Sequence, residues 1–178
     1  MQKLTIDEMN RLSVEAFHKT KKIPLVAVLD NVRSQHNIGA VFRTADAFLL
    51  DRIVLCGICC CPPNQEIHKT ALGAETTVQF EYYKDTLEAV AALKHEGYRV
   101  YAVEQAHDSS TLDEVIDHGD EKIAVVFGHE VFGVQQAVID AADGCIEIPQ
   151  YGTKHSLNVS VTAGIVLYEL QSALRNRR

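Results

Sequence analysis

"DTLEAVAALKHEGYRV", residues 85–100, carries a helix, its stop and the start of a strand in one short stretch. Asp85 has the side chain of an N-cap, able to accept from the free N–H groups of a first turn. Leu87, Val90 and Leu93 follow at helical spacing. Gly97 supplies the stop, because it alone adopts a left-handed backbone without a Cβ penalty. Arg99 and Val100 then open a β-rich run. The same grammar repeats outward in both directions. Short β-branched and apolar runs occur at 23–30 (IPLVAVLD), 52–58 (RIVLCGI), 78–83 (VQFEYY), 99–105 (RVYAVEQ), 122–128 (KIAVVFG) and 145–150 (CIEIPQ). Helical patterns fall at 38–48, 85–96, 133–142 and 156 to about 174. Runs that are apolar on both faces and alternate with helices indicate an α/β fold, a parallel sheet covered by helices on each side. Residues 5–19 are expected to form an amphipathic helix begun by Thr5 or Asp7, within an N-terminal extension of residues 1–22.

Composition sets the outer limits. With 178 residues and 47% hydrophobic content, one domain with a sizeable core is expected, spanning 1–178. No stretch has the length or apolarity of a membrane span or a signal peptide, so a cytoplasmic protein without membrane contact is expected. Seventeen basic against twenty-four acidic residues give a net charge of −7. That argues against nucleic-acid binding over a broad surface but leaves room for a local basic site. "HKTKK" (18–22) and "RNRR" (175–178) are either that site or simply solvated ends. Of five cysteines, Cys56, Cys59, Cys60 and Cys61 cluster and Cys145 stands apart. The Cys56/Cys59 pair lacks a second pair to complete four ligands, so reduced thiols at a strand end are expected rather than a metal.

Open α/β sheets bind ligands beyond the carboxyl ends of their strands, and three loops there are unusual. The first is "NVRSQHNIGAVFRTADAF" (31–48), with two asparagines and two arginines where a junction needs one cap. Asp30 or Asn31 can cap a turn, Asn37 can cap a helix starting at Ile38, and Gly39 permits close backbone approach. Arg43 lies among Val41, Phe42, Ala45 and Phe48, so its guanidinium either meets an internal acid or reaches a phosphate or substrate. The second loop is "VVFGHEVFGV" (125–134). Val134 and Gln135 stand where a phosphate loop needs lysine and Ser/Thr, and the dinucleotide glycine spacing is missing. A nucleotide-binding module or dehydrogenase is therefore disfavoured. What remains is a glycine turn holding Glu130 over the sheet, a position the helix dipole alone would also favour. In the third, "IEIPQYGTKHSLNVSVTAGIVLYEL" (146–170), Pro149 ends a strand and Ser156 can cap a helix that is apolar nearly all round. Ser160, Ala163 and Gly164 are small enough for close packing in an interior or a dimer interface. Ser156 and Asn158 mark its mouth, but no G-x-S-x-G elbow supports a hydrolytic triad.

In this order, N-x-R…N-x-G-x-x-x-R-T-A (from Asn31), G-x-E-x-x-G-V (from Gly128) and IP…SLNVSV (from Ile148) resemble the three motifs of the SpoU/TrmH family of RNA ribose 2′-O-methyltransferases, in the SPOUT class. The resemblance covers about residues 23–172. It implies S-adenosylmethionine as methyl donor, a deep trefoil knot in the carboxyl-terminal part of the sheet, and a homodimer packed around the final helix. It places the cofactor at Gly128, Ile148 and Leu157, with the loop after Val103 as a further wall. It makes Arg43 the central catalytic residue, pairing with an RNA phosphate and assisting removal of the 2′-OH proton. Asn37, Ser156 and Asn158 would position substrate and Arg43, and Glu130 would brace the second loop or the partner subunit's arginine. Asn31 and Arg33 would shape the first loop and contact RNA. His129 stands where the family commonly has asparagine, facing solvent or RNA, and Gln150 where methionine is frequent.

The implied substrate is structured RNA, transfer RNA slightly before ribosomal RNA. With about 22 residues ahead of the first strand, recognition is expected from the catalytic dimer and its basic termini. A catalytically inactive SPOUT-like RNA-binding protein is the alternative.

Overall fold

The apolar run at 23–30 forms β1, Ile23–Asp30, and shows why the sheet is buried on both sides. Leu25, Ala27 and Leu29 point into one core and Val26 and Val28 into another, all fully buried. Each of these leucines and valines contributes about 1.5–3 kcal/mol by leaving water. The structure, a computed structural model, describes residues 1–5 and 7–177. The other strands are β2 (Leu50–Cys56), β3 (Phe80–Tyr83), β4 (Arg99–Val103), β5 (Ile123–Phe127) and β6 (Gly144–Ile146). All pairs are parallel, in the order β3-β2-β1-β5-β4-β6. From β1 the chain builds outward to β2 and β3, then returns to the other side. The reversal lies between β1 and β5.

One face is covered by α2 (Gln35–Phe48), α3 (Gln65–Ala71), α4 (Ala74–Thr77), α6 (Leu112–Asp117) and α8 (Val159–Asn176), together with the short α1 (Val14–Lys19). The other is covered by α5 (Thr86–His95) and α7 (Gln136–Ala141). Asp85 caps α5 as expected, accepting from Leu87 N–H at 2.9 Å. Gly39 lets α2 approach α3: a Cβ there would lie 2.3 Å from the Ile67 carbonyl oxygen. No helix among the described residues is long and apolar enough to cross a membrane.

Several boundaries differ from the sequence reading, each for a local reason. The expected helix at 5–19 is only a 3-10 turn at Asp7–Met9 and α1, capped by Ser13. Thr5 and Glu8 close a turn of their own, and Asn10 adopts a positive φ of 47° that breaks helical continuity. Ile6 of that expected helix lies outside the described residues. α2 begins at Gln35 with Ser34 as its cap, so Asn37 is not a cap but a first-turn residue. α7 begins only at Gln136, because Gly133 has φ 68°. α8 begins at Val159 with Asn158 as cap, leaving Ser156 in the preceding loop. β6 ends at Ile146, where Glu147 N–H turns to the Ser110 carbonyl at 2.9 Å.

Asp30 ends β1 as a fully buried carboxylate without an ion-pair partner among the described residues. It is balanced by four donors: Thr86 Oγ1 at 2.6 Å, Asn31 Nδ2 at 2.9 Å, Gln135 N at 2.9 Å and Gln135 Nε2 at 2.7 Å. Asp30→Ala leaves the buried Thr86 hydroxyl and the partly buried donors of Asn31 and Gln135 without their acceptor. It is expected to lower the unfolding free energy by about 3 kcal/mol, read from urea denaturation. A loss well under about 1 kcal/mol would show that the carboxylate is not the hub of this crossing.

Cys56 and Cys59 are buried where β2 ends. Burial pushes both thiols up to about 12, so they stay protonated and poorly nucleophilic.

Candidate active site

Beyond the carboxyl ends of β4, β5 and β6 lies a cavity of about 550 Å³, within the range of small-molecule sites. Three loops form its walls. Val103 and Glu104 leave β4, residues 128–133 leave β5, and residues 148–158 connect β6 to α8. A second hollow of about 730 Å³ lies among α3, α4 and Phe80, and none of the expected site residues line it.

The loop after β5 is closed by its own hydrogen bonds. His129 N–H donates to the Gly133 carbonyl at 3.0 Å and Gly133 N–H returns to the His129 carbonyl at 2.8 Å. The His129 imidazole accepts from Val131 N–H at 3.0 Å through Nδ1. Gly128 is needed here because a Cβ would fall 2.1 Å from the Gly133 carbonyl carbon and the Val134 nitrogen. The turn is pinned from outside as well: Glu104 Oε2 accepts from Val134 N–H at 3.1 Å. The loop before α8 is fastened by Gln105, whose Nε2 donates to the His155 carbonyl at 2.7 Å.

Glu130 joins this wall to the first loop. Its carboxylate accepts from Arg33 N–H at 3.0 Å, Ser34 N–H at 2.9 Å and Asn37 Nδ2 at 2.9 Å. Partial burial pushes the Glu130 carboxyl up, but these bonds outweigh it and hold the group below the usual carboxylate range. Asn37 Oδ1 in turn accepts from Asn158 Nδ2 at 3.2 Å. Asn158 Oδ1 accepts from Ser160 N–H at 2.9 Å and from Val161 N–H at 3.4 Å at the start of α8. One chain of bonds thus runs from the second loop through α2 to the third loop.

Val103, Gly128, Ile148 and Leu157 all line the cavity, as do Glu130, Ser156 and Asn158. Asn37 lies behind this wall, attached through Glu130 and Asn158. Arg43 is exposed on α2 and has no hydrogen-bond or ion-pair partner among the described residues, which overturns the internal-acid alternative. Ser156 is also exposed and unpaired among them. Arg33 contributes its backbone N–H to Glu130 and leaves its side chain exposed. Asn31 sits at a positive φ of 57° and accepts from Ile58 N–H at 3.1 Å, so it shapes the β1 and β2 loops.

The basic termini are partly committed to the fold. Lys22 donates to the Phe17 and Thr20 carbonyls, and Arg175 donates to Gln171 Oε1 at 2.9 Å. Arg177 donates to the Asp120 carbonyl at 3.0 Å, and Arg178 lies outside the described residues. The loop after Val103 contributes Glu104 and Gln105 as a wall, as expected, whereas Phe132 was not singled out by the sequence reading.

A family model described as "SpoU rRNA Methylase family" matches residues 24–168. Among curated proteins, the chain is 34% identical over 165 residues to a tRNA (guanosine(18)-2'-O)-methyltransferase of Thermus thermophilus, covering 92% of this chain and 82% of that one. Among solved structures it resembles the A. aeolicus TrmH/SpoU tRNA modifying enzyme, with a TM-score of 0.80, 27% identity and coverage of 92% and 83%. It also resembles an AdoMet-bound rRNA methyltransferase from Sinorhizobium meliloti, with a TM-score of 0.78, 26% identity and coverage of 90% and 60%.

Proposed function

Since the chain belongs to the SpoU rRNA methylase family, we propose that it transfers a methyl group from S-adenosylmethionine to a ribose 2′-OH of transfer or ribosomal RNA. The carrying observation is the single cavity on which Val103, Gly128, Ile148 and Leu157 meet. Its volume suits the donor. Glu104 and Glu130 line it and, among the described residues, no lysine or arginine does, a polarity that suits a sulfonium cation. Bound there, the donor supplies an electrophilic methyl carbon.

The rest is work for the protein. In-line transfer would require the ribose oxygen to be held opposite the carbon–sulfur bond that breaks as the new carbon–oxygen bond forms, and the hydroxyl proton to pass to water at the cavity mouth. Arg43, exposed and unpaired among the described residues, is assigned the task of gripping an RNA phosphate and lowering the cost of charge developing on the attacking oxygen. As an arginine stays protonated, it assists proton loss electrostatically rather than as a base. Ser156 offers a free hydroxyl at the cavity mouth. Asn37, Asn158 and Glu130 are positioning residues that hold the three loops in register. Arg33 is assigned contact with RNA through its exposed side chain, while Asn31 maintains the loop beside it.

Two further features belong to this reading. A trefoil knot is supported by the path of the chain after β6, which lies outside β4, whereas α8 packs back on α2 and β1. A homodimer is supported by Val161, Ile165 and Tyr168, an exposed apolar stripe at 51%, 39% and 54% on α8, with open space beside Gly164.

Calorimetric titration with S-adenosylmethionine and S-adenosylhomocysteine, before any RNA is added, tests the reading. Both are expected to bind at one site per chain. A folded protein that binds neither would favour the inactive RNA-binding alternative, against which the complete set Arg43, Glu130, Ser156 and Asn158 counts.

A further inference from the structure

Phe132 is 83% exposed and its neighbour Val131 72% exposed, at the tip of the loop that walls the cavity on the β5 side. This tip is not slack chain. The paired bonds between His129 and Gly133 close it, the His129 imidazole accepts from Val131 and Phe132 N–H, and Glu130 anchors it to the first loop. A fixed turn therefore holds a large apolar ring out in water, where folding alone would bury it. The Phe132 ring rests beside the His129 imidazole, with centroids 4.9 Å apart and planes inclined by 35°. The imidazole backs the ring, and most of the ring's surface faces solvent.

We propose that Phe132, backed by His129, is a stacking platform for an unpaired base of the substrate RNA beside the nucleotide whose ribose is methylated. This inference rests on the RNA methyl-transfer reading above. Single-stranded loops and bulges offer ribose and splayed bases together, and a base unstacked there regains contact on an aromatic face. Charge points the same way. The chain carries −7 overall and Glu104 and Glu130 line the cavity, so phosphate contacts alone give limited affinity. Base stacking supplies affinity that acidic surroundings do not oppose.

The test compares Phe132→Ala, Phe132→Leu and Phe132→Trp by fluorescence anisotropy, with unfractionated tRNA and ribosomal RNA fragments as probes. Phe132→Ala is expected to weaken RNA binding by about 5- to 150-fold. The slope of its binding against salt should stay unchanged, because stacking releases no counterions. Phe132→Leu should match Ala, and Phe132→Trp should restore wild-type binding. Unaltered RNA affinity in Phe132→Ala, or full rescue by leucine, would overturn the platform. So would conversion of a dimer to a monomer in sedimentation, since the ring would then be covered by a second copy. Binding is read without turnover, so the two readings fail separately. A wild type that binds RNA in this ring-dependent way yet transfers no methyl group would sink the methyl-transfer reading alone.

Discussion

Arg43→Ala should abolish methyl transfer while leaving the protein folded and the cofactor pocket intact. The side chain is exposed and makes no hydrogen bond or ion pair among the described residues, so its removal should change stability by no more than about 0.5 kcal/mol. It is not among the cavity's lining residues, so affinity for S-adenosylmethionine should hold. The rate should fall by about 10³-fold, the scale seen when one preorganised charge or donor is removed from a transition state. Arg43→Lys should rescue poorly, because a compact ammonium lacks the planar fork that grips a phosphate through two bonds. Single-turnover transfer of labelled methyl to RNA, alongside calorimetry with the cofactor alone, separates the effects. If cofactor affinity fell with the rate, Arg43 would be maintaining the pocket instead.

Gly128→Val should do the reverse, destroying cofactor binding first. The added Cβ would lie 2.1 Å from two backbone atoms of Gly133 and Val134 and 2.4 Å from the Gly133 oxygen. Neither side yields easily. Val134 is held by Glu104, Gln135 by Asp30, and Gly133 by its two bonds with His129. The loop must therefore shift as a unit, at about 1–3 kcal/mol for forced overpacking. If that strain must be met again in the bound geometry, affinity for S-adenosylmethionine drops by about 5- to 150-fold. Gly128→Ala should show most of the effect, because the first carbon makes the clash. Unchanged affinity in both variants would remove the cavity from consideration as the cofactor site.

Where the sequence was legible, the cause was local. β1 runs from Ile23 to Asp30 as read, because its burial on both faces is written in consecutive apolar residues. α5 was legible from its cap and its glycine stop. Strand order was not, since the pairing of Leu25 with Ile123 depends on where distant segments meet rather than on either segment alone. The short helices α3, α4 and α6 carry too few turns to show a period. The cavity residues were reached through the family resemblance; composition and spacing pointed only to three odd loops. The bond from Asn37 to Glu130 and the cap at Asn158 were hidden, because an asparagine side chain shows its partner only once the chain is folded.

The place of β5 between β1 and β4 also governs how this chain leaves the ribosome. Until residues 123–127 have been synthesised, β1 keeps one edge unpaired, and until α8 has emerged the side of α2 that packs on it stays uncovered. Local hairpins cannot serve as a stopgap in a sheet whose every pairing is parallel. Nascent chains stalled near residue 120 should therefore be strong clients for holding chaperones, and acquisition of protease resistance should come late and abruptly, once the last helix is free to dock.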